Sequence, residues 1–450
     1  MATSIVHRAA HMAGRRVVGS LSRLREANTE QIIELLRLHG SMTQAEIARE
    51  TGLSPATVSN LVGDLRHRHI VRTDPSGPPS RRAIDLTLDP RAGIVVGVDF
   101  GKRHRRIAVS DLARTILAEE HHVLEPEHRI DDGARETAAD IDRLLEQSGG
   151  ALAELLTVAV GVPGPVDPAT GFLGSPGILP GWAGVHIASA FQSTVDAHVV
   201  VDNDANLGAL GEMQWGAGRG FRDFTYLKVT TGIGAGLVLD GHLYRGAAGT
   251  AGEIGHTTID ENGPVCRCGN RGCLELYAAT PALLELLRTR AGESLTVREL
   301  LDESASGDPG SRRVLEDAGR HIGVALANLC NLISPQRIVV GGELVGAGDA
   351  LLQPMRESMA RGAVPAAGQR AEIVPGELGD RASVLGAVAL ALVESTHQLL
   401  TPRSERGGGG GPPSLALAIG SNRRRAPVNE QDRQDIQEET ARRATGARRT

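Results

Sequence analysis

The sequence predicts an α/β protein whose body forms two lobes around a cleft, preceded by a winged helix-turn-helix module. Three observations predict it. Residues 28–88 carry helix start and stop signals at helix-turn-helix spacing. A strand, glycine turn, strand pattern at 93–110 returns at 224–240, as a duplicated unit would. The 450 residues, 41% of them hydrophobic, suffice for two to three domains with substantial cores.

In the N-terminal module, Asn28 is placed to cap a first helix with Ile32, Leu35 and Leu36 on one face and Gly40 at its end. Thr43 and Glu46 form a capping box for a short second helix that Gly52 closes. Ser54 followed by Pro55 starts a third helix through Val58, Leu61, Val62 and Leu65. Its other face is small and polar, which suits entry into a major groove. The candidate DNA contacts are Gln44, Ala56, Thr57, Ser59 and Asn60. Two strands, 70–72 and 83–88, flank a Pro/Gly-rich tip whose Arg81 and Arg82 would lie on the phosphate backbone as a wing. A small helical domain serving only dimerisation is the alternative.

In the body, the strand at 93–98 ends in Asp99-Phe100-Gly101, and the strand at 224–229 ends in the turn Thr230–Gly236. Asp99, Gly101, Thr231, Gly232 and Gly234 are candidates for cradling phosphate, although hairpins need glycine too. A third pair, Gly341-Gly342, follows the strand at 337–340. Gly161–Asp167 and Leu179–Trp182 are rigid turns. The strand at 199–201 runs into Asp202-Asn203-Asp204-Ala205-Asn206. Those side chains can hold sugar hydroxyls or take a proton from one, or they can simply cap the next helix.

His256 precedes Cys266, Cys268 and Cys273. Three thiolates and an imidazole satisfy a closed tetrahedral zinc, hence a structural Zn(2+). A chance cluster of buried thiols is the alternative. Cys330 lies in an apolar helical run and reads as core. Glu253 and Glu275 flank this knuckle, which would hold both carboxylates at the cleft.

Composition narrows the remaining classes. Aromatics are 2%, too few for the stacking platforms of a single-strand binder. Four cysteines are no disulfide scaffold. The apolar run 384–393 is too short to span a bilayer. No secretory signal opens the chain, so a cytoplasmic location without a membrane partner is expected. The net charge of −6 is uneven: +3 over residues 1–90, −13 in the middle and +4 over the last fifty. A basic end on an acidic body suits a polyanion partner. The expected boundaries are a flexible leader at 1–27, the DNA-binding module at 28–90, the body at 91–398 and a disordered tail at 399–450, which contains Gly407–Gly411.

The turns Gly161–Asp167 and Leu179–Trp182, the run Asn203–Asn206, Gly232–Gly236 with Gly252–His256, and the knuckle Cys266–Glu275 together resemble the ROK family of repressors and kinases. The resemblance covers about residues 28–398 and implies an actin-like, sugar-kinase-type body. It implies that Asn203, Asp204, Glu253, His256 and Glu275 contact a sugar or sugar phosphate. It matches Asp204 to the catalytic base of the family's kinases, and His256 with Cys266, Cys268 and Cys273 to its zinc site. One imidazole nitrogen of His256 would face zinc and the other the sugar. Where such kinases have Asp, glycine and a small hydroxyl residue, this chain has Asp99-Phe100-Gly101 and then Lys102-Arg103-His104-Arg105. The expectation is therefore a sugar-responsive DNA-binding repressor of carbohydrate genes, a homodimer or higher homo-oligomer on a double-stranded operator. An ATP-dependent sugar kinase carrying a DNA-binding module is the alternative, and a plain scaffold is a third class.

Overall fold

The computed structural model describes residues 16–74, 85–126, 128–148, 154–167, 170–173, 179–182, 184–291 and 295–401. Arg81, Arg82, the tail from 402 and the leader before Arg16 lie outside the described residues.

The N-terminal module is built from α1 (Arg16–His39), β1 (Ser41–Thr43), α2 (Gln44–Thr51), α3 (Pro55–His67), β2 (Val71–Asp74) and β3 (Asp85–Leu88). The capping box at Thr43 and Glu46 is formed, and Ser54 caps α3 by accepting from the Thr57 amide. Gly52 takes the left-handed conformation that ends α2. Asn28 is not a cap, because α1 begins twelve residues earlier at Arg16. That helix continues through Thr29, whose hydroxyl is satisfied by donating to the Arg25 carbonyl. The stretch 16–27, expected within the leader, is thus helical. The expected two-stranded wing is a three-stranded sheet of order β1-β3-β2, since 41–43 pairs with 85–87.

The body repeats one topology. The first lobe holds β4 (Ile94–Phe100), β5 (His104–Asp111), β6 (Ile116–Val123), α4 (Ile130–Gln147), β7 (Leu155–Val162), α5 (Ile187–Gln192) and β8 (His198–Asn203). Next come α6 (Asp204–Trp215), β9 (Phe224–Val229), β10 (Ile233–Leu239), β11 (His242–Tyr244), α7 (Glu275–Ala278), α8 (Thr280–Ala291), α9 (Val297–Ala305), α10 (Pro309–Ile333), β12 (Arg337–Gly341), α11 (Asp349–Gly362), α12 (Pro365–Gly368), β13 (Glu372–Pro375) and α13 (Ala382–Leu400). The sheets run β6-β5-β4-β7-β8 and β11-β10-β9-β12-β13. Each is an antiparallel three-stranded meander extended by two parallel strands. The duplication read from the glycine turns is therefore a duplication of whole sheets.

Helices α6 and α13 cross with their backbones in contact. A Cβ on Gly386 would lie 1.6 Å from the Leu207 carbonyl oxygen, and one on Gly211 would lie 2.3 Å from that of Ala382. Only glycine permits this approach. The segment Gly379–Leu400 is long and apolar enough to cross a membrane, but 78% of its apolar window is buried inside the protein. It is the core helix: Val384, Leu385, Val388 and Leu392 share one apolar cluster with Ile32, Leu36 and Leu65 of the N-terminal module. Polar contacts reinforce that junction. The buried Arg37 guanidinium donates to Thr396 Oγ1 at 2.6 Å and to Ser395 Oγ at 3.1 Å, and Arg68 donates to the Leu399 carbonyl.

Candidate sugar and metal site

Strand β8 delivers Asn203 and Asp204 to the cleft. Asn203 Oδ1 accepts from the amides of Ala205 and Asn206 at 2.9 and 3.2 Å, and its Nδ2 donates to the Gly164 carbonyl at 2.9 Å. It caps α6 and ties down the Gly161–Asp167 turn, so the capping alternative holds for this residue. Asp204 points elsewhere. Its Oδ2 accepts from Lys228 Nζ at 2.8 Å, and Lys228 also donates to Ser383 Oγ at 3.1 Å on α13. Asp202, beside them, takes Asn206 Nδ2 at 2.9 Å and Arg245 at 2.6 Å.

The second lobe contributes the knuckle. Glu253 and His256 stand on one short turn, and Glu275 opens α7. Glu275 pairs with Arg267 at 2.9 Å and faces Gly232, where a Cβ would meet its Oε2 at 2.9 Å. Burial pushes the Glu253 carboxyl up to about 7, with the charges of Asp204 and Glu275 adding to it. Asp204, Glu253 and Glu275 are thus brought to one place from a stretch of 72 residues.

The four knuckle donors lie within 4.8 Å of one another. Cys268 Sγ and Cys273 Sγ are 3.7 Å apart, and Cys266 Sγ is 3.7 Å from His256 Nδ1. Zinc–sulfur bonds of about 2.3 Å in a tetrahedron separate the sulfurs by about 3.8 Å. The donor set therefore fits a metal ion of that size. With Nδ1 turned to the sulfurs, His256 Nε2 lies 3.9 Å from Glu253 Oε2, so one ring reaches both the knuckle and the carboxylate. Cys330 is buried in the helical core beside Met359.

Both glycine turns are hairpins. Residues 101–103 join β4 to β5, and 230–232 join β9 to β10, so Ile233–Gly236 is strand rather than turn. The first is closed from within. The His104 ring covers Gly101, where a Cβ would meet it at 2.1 Å, and its Nε2 lies 3.1 Å from Asp99 Oδ2. Burial would raise the Asp99 carboxyl, yet Lys228 and then His104 hold it below its usual range. Thr231 is exposed at the tip of the second turn. Among the DNA candidates, Gln44, Ala56, Ser59 and Asn60 are exposed and Thr57 is half-buried, all at or near the N-terminal ends of α2 and α3.

Lys228, His104, Ser383 and Arg267 escaped the sequence reading as site residues. One signal was present: of 48 Lys and Arg residues only two are lysine, Lys102 and Lys228.

Comparison with known proteins decides the family, because the ROK family model matches residues 95–394. The chain belongs to the ROK family. Residues 26–77 also match a model described only as a domain of unknown function. A xylose repressor of Bacillus subtilis is 30% identical over 372 residues, covering 82% of this chain and 96% of that protein. The DNA-binding transcriptional dual regulator NagC of Escherichia coli is 30% identical over 390 residues, covering 84% of this ROK chain and 95% of its own. Among solved structures, a ROK family transcriptional regulator homologous to Escherichia coli MLC shares the fold at a TM-score of 0.73, with 24% identity, over 84% of this chain and 98% of its own. The ROK hexokinase of Thermus thermophilus aligns at 0.56 with 31% identity, over 67% of this chain and 97% of its own. The actin-like, sugar-kinase-type body with an N-terminal helical module is thus the fold of this ROK protein.

Proposed function

We propose that the chain is a sugar-responsive, DNA-binding transcriptional repressor of carbohydrate genes. The carrying observation is the course of α13. Its first turn places Ser383 against Lys228 and the Asp204 carbonyl, and its last turns place Ser395, Thr396 and Leu399 under Arg37 and Arg68 of the N-terminal module. In this reading one helix touches both the proposed sugar cleft and the proposed DNA-reading module. A stand-alone kinase has no use for that strut; a regulator requires one. Relatives named xylose repressor and N-acetylglucosamine repressor support the reading.

In this function α3 enters the major groove with Ala56, Thr57, Ser59 and Asn60, and Gln44 and the wing arginines 81 and 82 contact the backbone. A sugar is held by Asp204, Glu253, His256 and Glu275, with Asn203 shaping the turn beside them. His256, Cys266, Cys268 and Cys273 hold a structural zinc, whose chemistry is to fix the knuckle that carries these carboxylates. The protein acts as a cytoplasmic homodimer on a two-fold operator, with no membrane partner. Residues 28–90, with the helical stretch 16–27 before them, form its reading module, and the body expected at 91–398 extends to Leu400, where α13 ends two residues into the expected tail.

The competing reading is an ATP-dependent sugar kinase with Asp204 as base. The retained Asp204 favours it; the phosphate turn filled by His104 opposes it, because in-line transfer needs backbone amides open to the phosphates. The test is selection of bound duplexes from a random pool, followed by a sugar panel with and without ATP. The expected result is one two-fold site released by one sugar without ATP, with Asn60→Ala blunting the preference for that site. Failure to enrich any duplex, beside sugar-dependent ADP formation, would establish the kinase reading instead.

A further inference from the structure

The chain uses arginine almost exclusively for positive charge, yet both of its lysines belong to the cleft. Lys102 follows the first glycine turn, where Arg267 and Glu275 act on its charge. Lys228 stands on β9, largely buried, in a run that otherwise reads Phe-Thr-Tyr-Leu-Val. A lysine in a core strand is costly unless paired. Here its ammonium donates to Asp204 Oδ2 at 2.8 Å and to Ser383 Oγ at 3.1 Å. Asp99, from the other lobe, is 2% exposed, and its Oδ1 has no hydrogen-bond partner. Lys228 is the principal charge offsetting that carboxylate. Two carboxylates converging from the ends of β4 and β8 are a common seat of a divalent cation, which here would meet the ammonium of Lys228 from the other lobe instead.

We infer that Lys228 is a built-in counter-ion: its ammonium, hydrogen-bonded to Asp204 and set in the field of Asp99, takes the place of a divalent cation, so the cleft holds its sugar without metal or nucleotide. A compact ammonium suits this role better than a guanidinium, because it is a point charge with three donors rather than a planar fork. With Oδ2 already accepting from this ammonium, Asp204 serves as a fixed acceptor for a sugar hydroxyl. Lys228 is therefore a positioning residue that sets what the site excludes. This rests on the cleft being the sugar site proposed above.

The experiment uses the zinc-loaded full chain and manganese as the probe. Electron paramagnetic resonance should show no Mn2+ bound in the cleft of the parent. Lys228→Met should bind Mn2+ about tenfold or more tightly, since one adjacent positive charge is removed, and Lys228→Met with Asp99→Asn should lose that gain. Sugar affinity of the parent should be the same with and without Mg2+ and ATP. The inference is overturned if Lys228→Met binds no more Mn2+ than the parent, or if parent sugar affinity rises with Mg2+ and ATP. Should Lys228→Met fail to fold, the parent still decides. With only two lysines, 13C-methylation yields two lysine side-chain signals. The Lys228 signal should move on adding sugar and stay sharp at micromolar Mn2+; broadening there overturns the inference. The manganese result uses no DNA, so it stands or falls apart from the repressor reading, which operator release alone decides.

Discussion

Arg37, on α1, is buried against Thr396, on α13, with a 2.6 Å hydrogen bond spanning 359 residues of sequence. Burial lowers the guanidinium to about 10, which leaves it charged at neutral pH. Glu34, 3.8 Å away, is its nearest countercharge and also meets Arg114 of the body at 3.7 Å. In the regulator reading, this charge-assisted bond between the N-terminal module and α13 is the point at which ligand-induced movement of that helix would be felt.

Arg37→Met should therefore separate stability from signalling. It removes the buried charge along with its bonds, and Ser395 keeps its bond to the Leu392 carbonyl, so stability should change by less than about 3 kcal/mol. Operator affinity should persist while release by sugar weakens, within the roughly 5- to 150-fold range typical of such coupling. Fluorescence anisotropy on labelled operator, titrated with sugar, measures both. Unchanged release by sugar would remove this contact from the pathway.

Cys268→Ser should lose the metal. Elemental analysis of the parent should find about one zinc per chain. The mutant, and the parent after chelation, should melt earlier and bind sugar less tightly, because Glu253 and Glu275 flank the knuckle. Full sugar affinity in metal-free protein would separate knuckle from cleft.

Asp204→Asn should weaken sugar binding by about 1.5–3 kcal/mol, roughly tenfold to a hundredfold, since a charged acceptor is lost and Lys228 loses its partner. The mutant should remain on its operator at sugar concentrations that release the parent. Calorimetry with an ADP assay alongside checks this; sugar-dependent ADP formation by the parent that disappears in Asp204→Asn would identify a kinase.

Acid should destabilise the fold through His128. The Trp182 indole can only donate, and it donates to His128 Nδ1 at 3.2 Å, so Nε2 carries the proton and donates to the Gly101 carbonyl at 3.2 Å. Burial, opposed by that carbonyl and aided by Arg105, holds the imidazole below its ordinary 6.5. As pH falls past 6.5 the unfolded chain takes up this proton first. The stabilisation is complete above pH 6.5 and is lost as pH falls toward the folded value. Urea midpoints followed by tryptophan fluorescence should decline over that window. His128→Gln should flatten part of the decline, His121, His198 and His321 being shifted in the same direction. A midpoint that rises on acidification contradicts this.

Much of this protein is written in signals a few residues long. The Thr43–Glu46 capping box, the Ser54-Pro55 start and the left-handed Gly52 are satisfied by their own neighbours, so sequence alone determined α2 and α3. The four candidate metal donors fall within eighteen residues, and hairpins bring such short separations together with little choice. The strand pattern around two glycine turns likewise announced two lobes, because apolar alternation and turn chemistry are local.

Tertiary structure decided the rest. Asn28 has the chemistry of a cap, but α1 passes through it, since packing of Ile32, Ile33 and Leu36 outweighs a local preference. Glycine turns that suit a phosphate on paper are hairpins, one of them occupied by His104, and occupancy depends on where a side chain folds back. The pairing of Asp204 with Lys228, and of Arg37 with Thr396, joins residues 24 and 359 positions apart. No spacing encodes such contacts: they exist only because two sheets and the helix between them put those charges where water no longer screens them.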